Sequence, residues 1–241
     1  MRRLPGRALV PVVRHRAHGP GRGGEAGPHR GTQLMVRVPA VLVALMAGAV
    51  LLTGCDGAAP AFACKVDVAS SDVVRDREDA GIASCQEIPA TGTDTALPSI
   101  HLDCLGEKGS VRLNAIQGPA VLNFWASNCG PCRKEMPALQ EFYAAHGDQV
   151  QVIGVNYLDT YPGAAIELAR LSGVTYPSLA DACGDLQKTD AELGPGLPFF
   201  LFVSADGTVS RPHVGGVTSA AEVVTLVRDE LGIDLTAKAA S

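Results

Sequence analysis

The sequence predicts an α/β fold in which strands and helices alternate along the chain. Residues 121–126 and 150–157 are two nearly unbroken apolar runs, typical of strands that are buried on both faces of a sheet. A helical pattern starts near Pro131, soon after the first of these runs. Because alternating strands and helices build layered domains, we expect helices packed on a central sheet, an α/β sandwich.

The other elements follow from the same periodicities. They are, in chain order, a weak helix within 71–84, strands at 99–104 and 110–113, a helix from 131 to 146, a helix at 162–172, a strand at 176–180, a weak helix at 186–193, strands at 199–204 and 209–214, and a helix from 219 to 231. Leu171 is expected to face inward. Residues 206–207 are a hairpin-turn dipeptide, and residues 219–222 are a capping box that opens the last helix.

Two cysteines lie where the first central strand gives way to a helix. Cys129 falls at the expected helix N-terminus, where unpaired amides and the helix dipole stabilise a thiolate. Cys132 lies one turn later, where it can close a disulfide with Cys129. The same spacing occurs in half of a zinc site, but no second closely spaced Cys/His pair completes one. The pair therefore indicates redox chemistry without a metal or cofactor, with Cys129 as nucleophile and Cys132 as resolving thiol.

The sequence around this pair is FWASNCGPCRKEMP, from position 124 to position 137. It resembles the thioredoxin superfamily, and within it the membrane-tethered, extracytoplasmic thiol–disulfide oxidoreductases of the TlpA/ResA type. The resemblance covers about residues 97–235. It implies a thioredoxin-like sandwich with an N-terminal hairpin and a central αβ insertion, and a protein disulfide oxidoreductase activity.

The resemblance also implies roles for residues near the cysteines. Glu135 matches the acid that assists proton movement in these reductases, although a solvated acid in the first helical turn is an equally good interpretation. Pro198 matches the proline that the superfamily holds cis, so that Leu197 and Pro198 would present backbone to an extended substrate. Trp125 and Asn128 complete the predicted substrate groove, and Trp125 is expected to pack beside it. Relatives usually carry Trp where this chain has Asn128.

By resemblance, the substrates are cysteine pairs of exported proteins, including apocytochromes c before haem attachment, and a membrane protein donates the electrons. The Gly-Pro dipeptide between the cysteines is that of thioredoxin, whose potential of about −270 mV is reducing. A reductase is therefore the preferred interpretation. A disulfide-forming oxidase is the first alternative. A copper chaperone for oxidase assembly is the second, but we expect its possible ligands, His101, His146 and His213, to be surface residues.

The chain contains seven cysteines, so an exported protein of this sequence would carry further disulfides. With Cys55 assigned to a lipid, Cys64, Cys85, Cys104 and Cys183 remain, and they permit three pairings. Cys85 and Cys104 flank a Pro/Thr/Gly stretch and would close a short loop, which leaves Cys64 for Cys183. The alternative is that some of the four stay free.

The N-terminal part predicts export. Residues 1–34 hold seven Arg and one acid without hydrophobic periodicity, so they are either a disordered basic extension or precede a true start at Met35. Residues 35–54 are predicted to be a lipoprotein signal peptide, because an uncharged apolar run ends in LTGC, which resembles a lipobox. An uncleaved membrane span is the alternative. Either interpretation places the domain on the outer side of the cell membrane, and the first assigns Cys55 as the lipid anchor.

The remaining organisation is a tether and lead-in at 55–96, the thioredoxin-like domain at 97–235 and a tail at 236–241. After residue 54 the chain carries 24 acidic side chains and 12 Lys and Arg. Phosphate contacts need a basic surface, so this balance argues against nucleic acid as a partner. We expect protein partners, contact with the membrane through the lipid, and a monomer.

Overall fold

The computed structural model describes residues 64–90 and 94–235. The predictions for residues 1–54, Cys55 and the tail at 236–241 lie outside the described residues. The regular elements of the described part are α1 Ser71–Asp79, β1 His101–Cys104, β2 Ser110–Arg112, β3 Ala120–Trp125, α2 Gly130–His146, β4 Gln151–Tyr157, α3 Pro162–Leu171, β5 Ser178–Asp181, β6 Phe199–Val203, β7 His213–Val214 and α4 Ala220–Leu231. Within this part, no helix has the length and apolar character that a membrane span needs.

The strands form one sheet in the order β2-β1-β5-β4-β3-β6-β7. The three central strands β3, β4 and β5 are parallel, so their carboxyl ends meet at the same edge of the sheet. Strands β1 and β6 run antiparallel to β5 and β3. The structure confirms the thioredoxin-like α/β sandwich, with β1–β2 as its N-terminal hairpin and α3–β5 as its central insertion.

Strand β3 is buried along its whole length, as its apolar run predicts. Because side chains alternate across a strand, Val121 and Trp125 pack on the face that α2 covers, while Leu122 and Phe124 pack on the other face. The same face of β3 that carries Val121 and Trp125 also carries Asn123, a fully buried polar residue. The core therefore lies in two layers, one on each side of the parallel strands.

Residues 64–90, which the sequence assigns to a tether and lead-in, pack against the domain. Val68, Val73 and Ile82 are buried in the same apolar cluster as α2 and α3. Two disulfides join this stretch to the sheet region: Cys64–Cys183, with Cα atoms 5.6 Å apart, and Cys85–Cys104, with Cα atoms 5.8 Å apart. These are the two pairings that the sequence analysis prefers.

Two predictions about helices were wrong. Leu171 is 64% exposed, because α3 buries the face formed by Ala165, Ile166, Leu168 and Ala169, and Leu171 lies on the opposite face. The helix expected at 186–193 is a single 3₁₀ turn, Asp185–Lys188. The Asp181 carboxylate caps this turn by accepting hydrogen bonds from the amides of residues 185 and 186, and the chain becomes extended at Thr189.

The predictions for residues 209–214 and for His146 also need correction. The partner strand of β6 is interrupted: Val209 forms one isolated bridge, and the pairing resumes only at His213–Val214. Pro212 between them has no N–H to donate, and the side chain of Ser210 accepts from Phe202 N at 3.0 Å. His146 is buried rather than exposed, since it lies beside Phe142 on the inward face of α2.

Candidate active site

The redox pair lies at the carboxyl end of β3, where α2 begins. Cys129 is the N-cap residue of α2, and its Sγ accepts a 3.1 Å hydrogen bond from the amide of Cys132. The two residues form a disulfide, with Cα atoms 5.3 Å apart. Cys132 is fully buried, whereas Cys129 is half-buried between the exposed residues Asn128 and Gly130. The geometry therefore gives an incoming sulfur access to Cys129 and protects Cys132.

Glu135 lies three residues after Cys132, on the buried face of α2. Its side chain has no exposed surface, and its Oε1 accepts a 2.7 Å hydrogen bond from Asn123 Nδ2. Burial raises the pKa of Glu135 to about 8, although the hydrogen bonds from Asn123 and the backbone of Val217 act in the opposite direction. Of the two interpretations of Glu135, the solvated helix acid is excluded by this burial.

The bond between Leu197 and Pro198 is cis, as the resemblance implies. Leu197 is half-buried and Pro198 is buried. Gly215 N donates a 3.1 Å hydrogen bond to Pro198 O, which brings the residues after β7 to the same place. A Cβ added at Gly216 would lie 3.1 Å from Glu135 Oε2 and 3.5 Å from Pro198 Cγ. The loop that carries Gly216 therefore contacts both the buried acid and the proline.

Asp159, in the loop after β4, binds the loop that leads to Cys129. Its Oδ2 accepts hydrogen bonds from Ser127 N at 2.6 Å and from Asn156 Nδ2 at 3.0 Å, and its Oδ1 accepts from Tyr161 N at 3.1 Å. Asp159 is only 4% exposed. The carboxylate therefore fixes the backbone two residues before Cys129.

Trp125, the last residue of β3, is packed in the core beneath the cysteine loop. Its side chain is fully buried, so it packs under the groove and does not line it. The indole lies over Gly154, where an added Cβ would approach Trp125 Nε1 to 2.9 Å and collide with Ser178 Oγ. Gly154 pairs in register with Asn123 on one side and with Ser178 on the other. Gly154 therefore leaves the space that the Trp125 indole and the Ser178 hydroxyl occupy.

Sequence reasoning missed Asn123, Asp159 and Gly216. A weak signal existed for two of them. Asn123 is the polar residue within an otherwise apolar strand, and Asp159 is an acid just beyond the end of the next strand. Gly216 carries no local signal, because its contacts are with residues far away in the sequence.

Within the described ranges, neither Cys129 nor Cys132 belongs to a group of three or more His, Cys, Asp or Glu side chains that could hold a metal ion. In residues 64–90 and 94–235, three side chains have ligand atoms within 4.8 Å of one another, and these are Cys85, Cys104 and Glu107. The two cysteines of this set are joined in a disulfide. None of the three histidines considered for copper belongs to it.

Comparison with known proteins agrees with this chemistry. The family model for the AhpC/TSA family matches residues 93–211. The chain is similar to thiol-disulfide oxidoreductase ResA of Halalkalibacterium halodurans, with 30% identity over 146 residues that cover 58% of this chain and 80% of that protein. It is also similar to thiol:disulfide interchange protein DsbE of Pseudomonas fluorescens biotype C, with 33% identity over 136 residues, 56% of this chain and 68% of that protein. The crystal structure of StoA from Bacillus subtilis aligns with a TM-score of 0.42 at 25% identity, over 52% of this chain and 96% of that one.

Proposed function

The chain belongs to the thioredoxin-like thiol–disulfide oxidoreductases that include ResA and DsbE, and from this premise we propose that it is a lipid-anchored, extracytoplasmic reductase of cysteine pairs in exported proteins. The observation that carries the proposal is the pair at the start of α2: an accessible Cys129 whose sulfur accepts a helix amide, and a buried Cys132 beside a buried acid. The proposed substrate class and the proposed membrane electron donor rest on the family resemblance.

The exchange proceeds in two steps. The Cys129 thiolate attacks one sulfur of a substrate disulfide, which breaks that bond, forms a mixed disulfide and releases the other substrate sulfur as a thiolate. Cys132 then attacks Cys129 Sγ, so the intramolecular disulfide forms and the second substrate sulfur leaves. The substrate gains two electrons and, with protons, becomes a dithiol, while Cys129 and Cys132 are oxidised. A membrane donor then restores the two thiols.

Glu135 is the proposed proton acceptor for Cys132. The two residues are three positions apart on α2, so their side chains lie on the same face of the helix, and both are buried. A pKa of about 8 keeps Glu135 largely protonated at neutral pH and leaves a fraction ionised that can take a proton. The hydrogen bond from Asn123 holds one carboxylate oxygen and thereby orients the group.

The proposed substrate groove runs between Asn128 and the Leu197–Pro198 bond. Asn128 is exposed beside Cys129, and Leu197 is half-buried, so both are accessible to a bound chain. An extended substrate segment can add its backbone beside Leu197 while its cysteine reaches Cys129. Gly216, which is exposed and has no side chain, leaves room for this segment next to Pro198.

Two features support a location outside the cytoplasm. The described residues hold two disulfides in addition to the redox pair, and such bonds persist in oxidising compartments. The LTGC sequence ending at Cys55 supports lipid attachment at that cysteine. If Cys55 carries the lipid, the variant Cys55→Ala will keep its signal peptide or be released from the membrane, and mass spectrometry of the mature N-terminus will show it. Normal lipid-modified maturation of this variant would overturn the anchor.

The reducing direction is supported by the Gly-Pro dipeptide, and apocytochromes c are the substrate class that the family resemblance favours. The test is a redox-buffer titration of the Cys129–Cys132 disulfide in the full chain. A reductase is expected to have a potential below about −230 mV, near that of thioredoxin, whereas a value near −120 mV would make the chain an oxidase. The substrate is tested with apocytochrome c peptides whose cysteine pair is oxidised to a disulfide. The full chain is expected to reduce this disulfide, and the variant Cys129→Ser is expected not to reduce it.

A further inference from the structure

The Cys64–Cys183 disulfide lies at the same edge of the sheet as the redox pair. Strands β3, β4 and β5 are parallel, and Trp125, Asn156 and Ala180 stand level with one another across them. Cys129 follows the end of β3 by four residues, and Cys183 follows the end of β5 by two. We call the edge formed by residues 126–130, 158–161 and 182–184 the active-site edge.

Direct contacts connect the disulfide to the cysteine loop along this edge. Leu158 N donates a 3.0 Å hydrogen bond to Asp181 O, and a Cβ added at Gly184 would come within 2.6 Å of Leu158 Cδ2. The next residue, Asp159, binds Ser127 N. Leu158 adopts a φ of 53°, in the left-handed region that a bulky residue rarely adopts. The position of Cys183 relative to Cys129 is therefore set by a continuous series of short contacts.

After Cys64, the chain runs from the active-site edge towards the opposite edge of the sheet. Val68 O accepts a 2.9 Å hydrogen bond from Gly106 N, in the turn between β1 and β2. Strand β1 is antiparallel to β5, with Asp103 opposite Ala180, so this turn lies at the other edge of the sheet. Residues 64–68 thus cross from the active-site edge to the opposite edge. Without the Cys64–Cys183 bond, the anchored segment would be held only from Val66 onward, where the chain already runs towards the far side from Cys129.

We propose that the Cys64–Cys183 disulfide fixes the exit of the anchored segment at the active-site edge, so that Cys129 faces the membrane and exchanges electrons with a membrane-embedded protein that carries a cysteine pair at the membrane surface. This inference rests on the lipid anchor at Cys55 proposed above. Nine residue steps separate Cys55 from Cys64, and a chain of that length spans at most about 30 Å. The active-site edge therefore stays within reach of the membrane surface.

The exposed side chains of this edge fit such a protein partner. Leu158 is 47% exposed and Tyr161 is 69% exposed, and both belong to the loop between the disulfide and Cys129. In the exchange, a partner thiolate attacks Cys129 Sγ and breaks the Cys129–Cys132 bond. The partner's second thiol then resolves the mixed disulfide. Two electrons and the accompanying protons pass to this chain, and the partner is left with a disulfide.

The orientation is tested by energy transfer on the lipidated full chain in phospholipid vesicles that contain a headgroup-labelled acceptor lipid. A donor dye is attached through a genetically encoded azide at position 161, on the active-site edge, or at position 205, an exposed residue in the turn after β6 at the opposite edge. Transfer from position 161 is expected to exceed transfer from position 205. The variant Cys64→Ser/Cys183→Ser is expected to lose this difference or reverse it.

The matched control is Cys85→Ser/Cys104→Ser, which removes the other disulfide of the lead-in and should keep the difference. Equal transfer from the two positions in the unaltered chain, or an unchanged difference in Cys64→Ser/Cys183→Ser, overturns the inference while leaving the anchor and the redox activity in place. A chain that does not bind vesicles overturns the anchor and this inference together. The two failures are therefore distinguishable.

A second measurement tests the functional consequence. Vesicles that contain phosphatidylthioethanol present thiols at the membrane surface, and differential alkylation reports the reduction of Cys129–Cys132. The unaltered chain is expected to be reduced several-fold faster by vesicle thiols than the Cys64→Ser/Cys183→Ser variant, while soluble dithiothreitol reduces both at the same rate. The Cys85→Ser/Cys104→Ser control is expected to behave like the unaltered chain. Equal rates with vesicle thiols for all three proteins would overturn the proposal.

Discussion

Asn123 Nδ2 donates a 2.7 Å hydrogen bond to Oε1 of Glu135, across the buried space between β3 and α2. This contact links the central strand to the helix that carries both reactive cysteines. An amide is a neutral donor, so it orients the carboxylate without compensating its charge, and burial remains the dominant influence on its pKa. Burial therefore holds the pKa of Glu135 at about 8, above neutral pH.

Glu135 should make the stability of the domain depend on pH. Its pKa is raised from 4.5 to about 8 on folding, so its contribution is fully present below about pH 4.5 and is lost as the pH rises through 8. Urea unfolding should show a free energy of unfolding that falls by an amount on the order of 3–5 kcal/mol over this range. Glu135→Gln should remove most of this slope and be more stable than the unaltered chain at pH 8. An unchanged slope in the variant would contradict the raised pKa.

Asp159→Asn should slow thiol exchange. The Asn amide nitrogen would face an N–H donor, because Asp159 accepts from Ser127 N, Tyr161 N and Asn156 Nδ2. A lost hydrogen bond to a buried charged group costs about 1–3 kcal/mol, and the cysteine loop should lose its fixed position. Insulin reduction and urea unfolding measure the two effects. Asp206→Asn is the control, since Asp206 also accepts from a nearby amide but is exposed, and it should change neither quantity.

Gly216→Ala should impair substrate binding at a modest cost in stability. The added methyl group would lie 3.1 Å from the buried Glu135 Oε2 and 3.5 Å from Pro198 Cγ, at the floor of the proposed groove, so these neighbours must shift. The KM for a disulfide peptide should rise several-fold while the melting temperature falls by only a few degrees. Gly163→Ala, at a position where a Cβ meets no atom within 4 Å, should have a normal KM. Equal KM values for the two variants would place the substrate elsewhere.

Asn128→Trp should strengthen complexes with partners. Asn128 is exposed next to Cys129, and Trp at this position would add apolar contact surface around the sulfur. In a Cys132→Ala background, which cannot resolve a mixed disulfide, non-reducing gels should show more trapped complex with Trp than with Asn. Asn128→Ser is the polar control and should trap as the unaltered residue does. Unchanged or weaker trapping by Trp would show that this position does not determine partner contact.

Cys85→Ser/Cys104→Ser should lower stability and leave exchange intact. The bond joins residues 19 positions apart, and closing a loop of this size contributes about 2–4 kcal/mol through the unfolded chain. Both sulfurs are buried away from the redox pair. Thermal unfolding and insulin reduction separate the two effects. Lost exchange with unchanged stability would instead make these cysteines a relay in the redox path.

Much of the fold and part of the site follow from local patterns. The buried strand before Cys129, the helix after it and the capping of the last helix by Ser219 depend on neighbouring residues, so the sequence alone predicts them well. The other half of the predicted capping box differs, because Glu222 accepts from Thr218 N and not from Ser219 N. The interruption in the partner strand of β6 had a local signal, because Pro212 has no N–H to donate to the ladder, and the prediction followed the alternating pattern instead. Asp159 was missed because its main acceptor contact is with Ser127, which is 32 residues away.

By itself, the sequence determined the reactive chemistry, because a Cys-x-x-Cys pair at a helix N-terminus is a property of consecutive residues. Whether Glu135 is solvated or buried was decided only by the tertiary structure, since its environment depends on how α2 packs against Asn123 on β3. The pairing of Cys64 with Cys183 could be proposed from the sequence, but its position beside the active site could not. That position exists because three parallel strands end at one edge, and strand order arises only when distant segments meet.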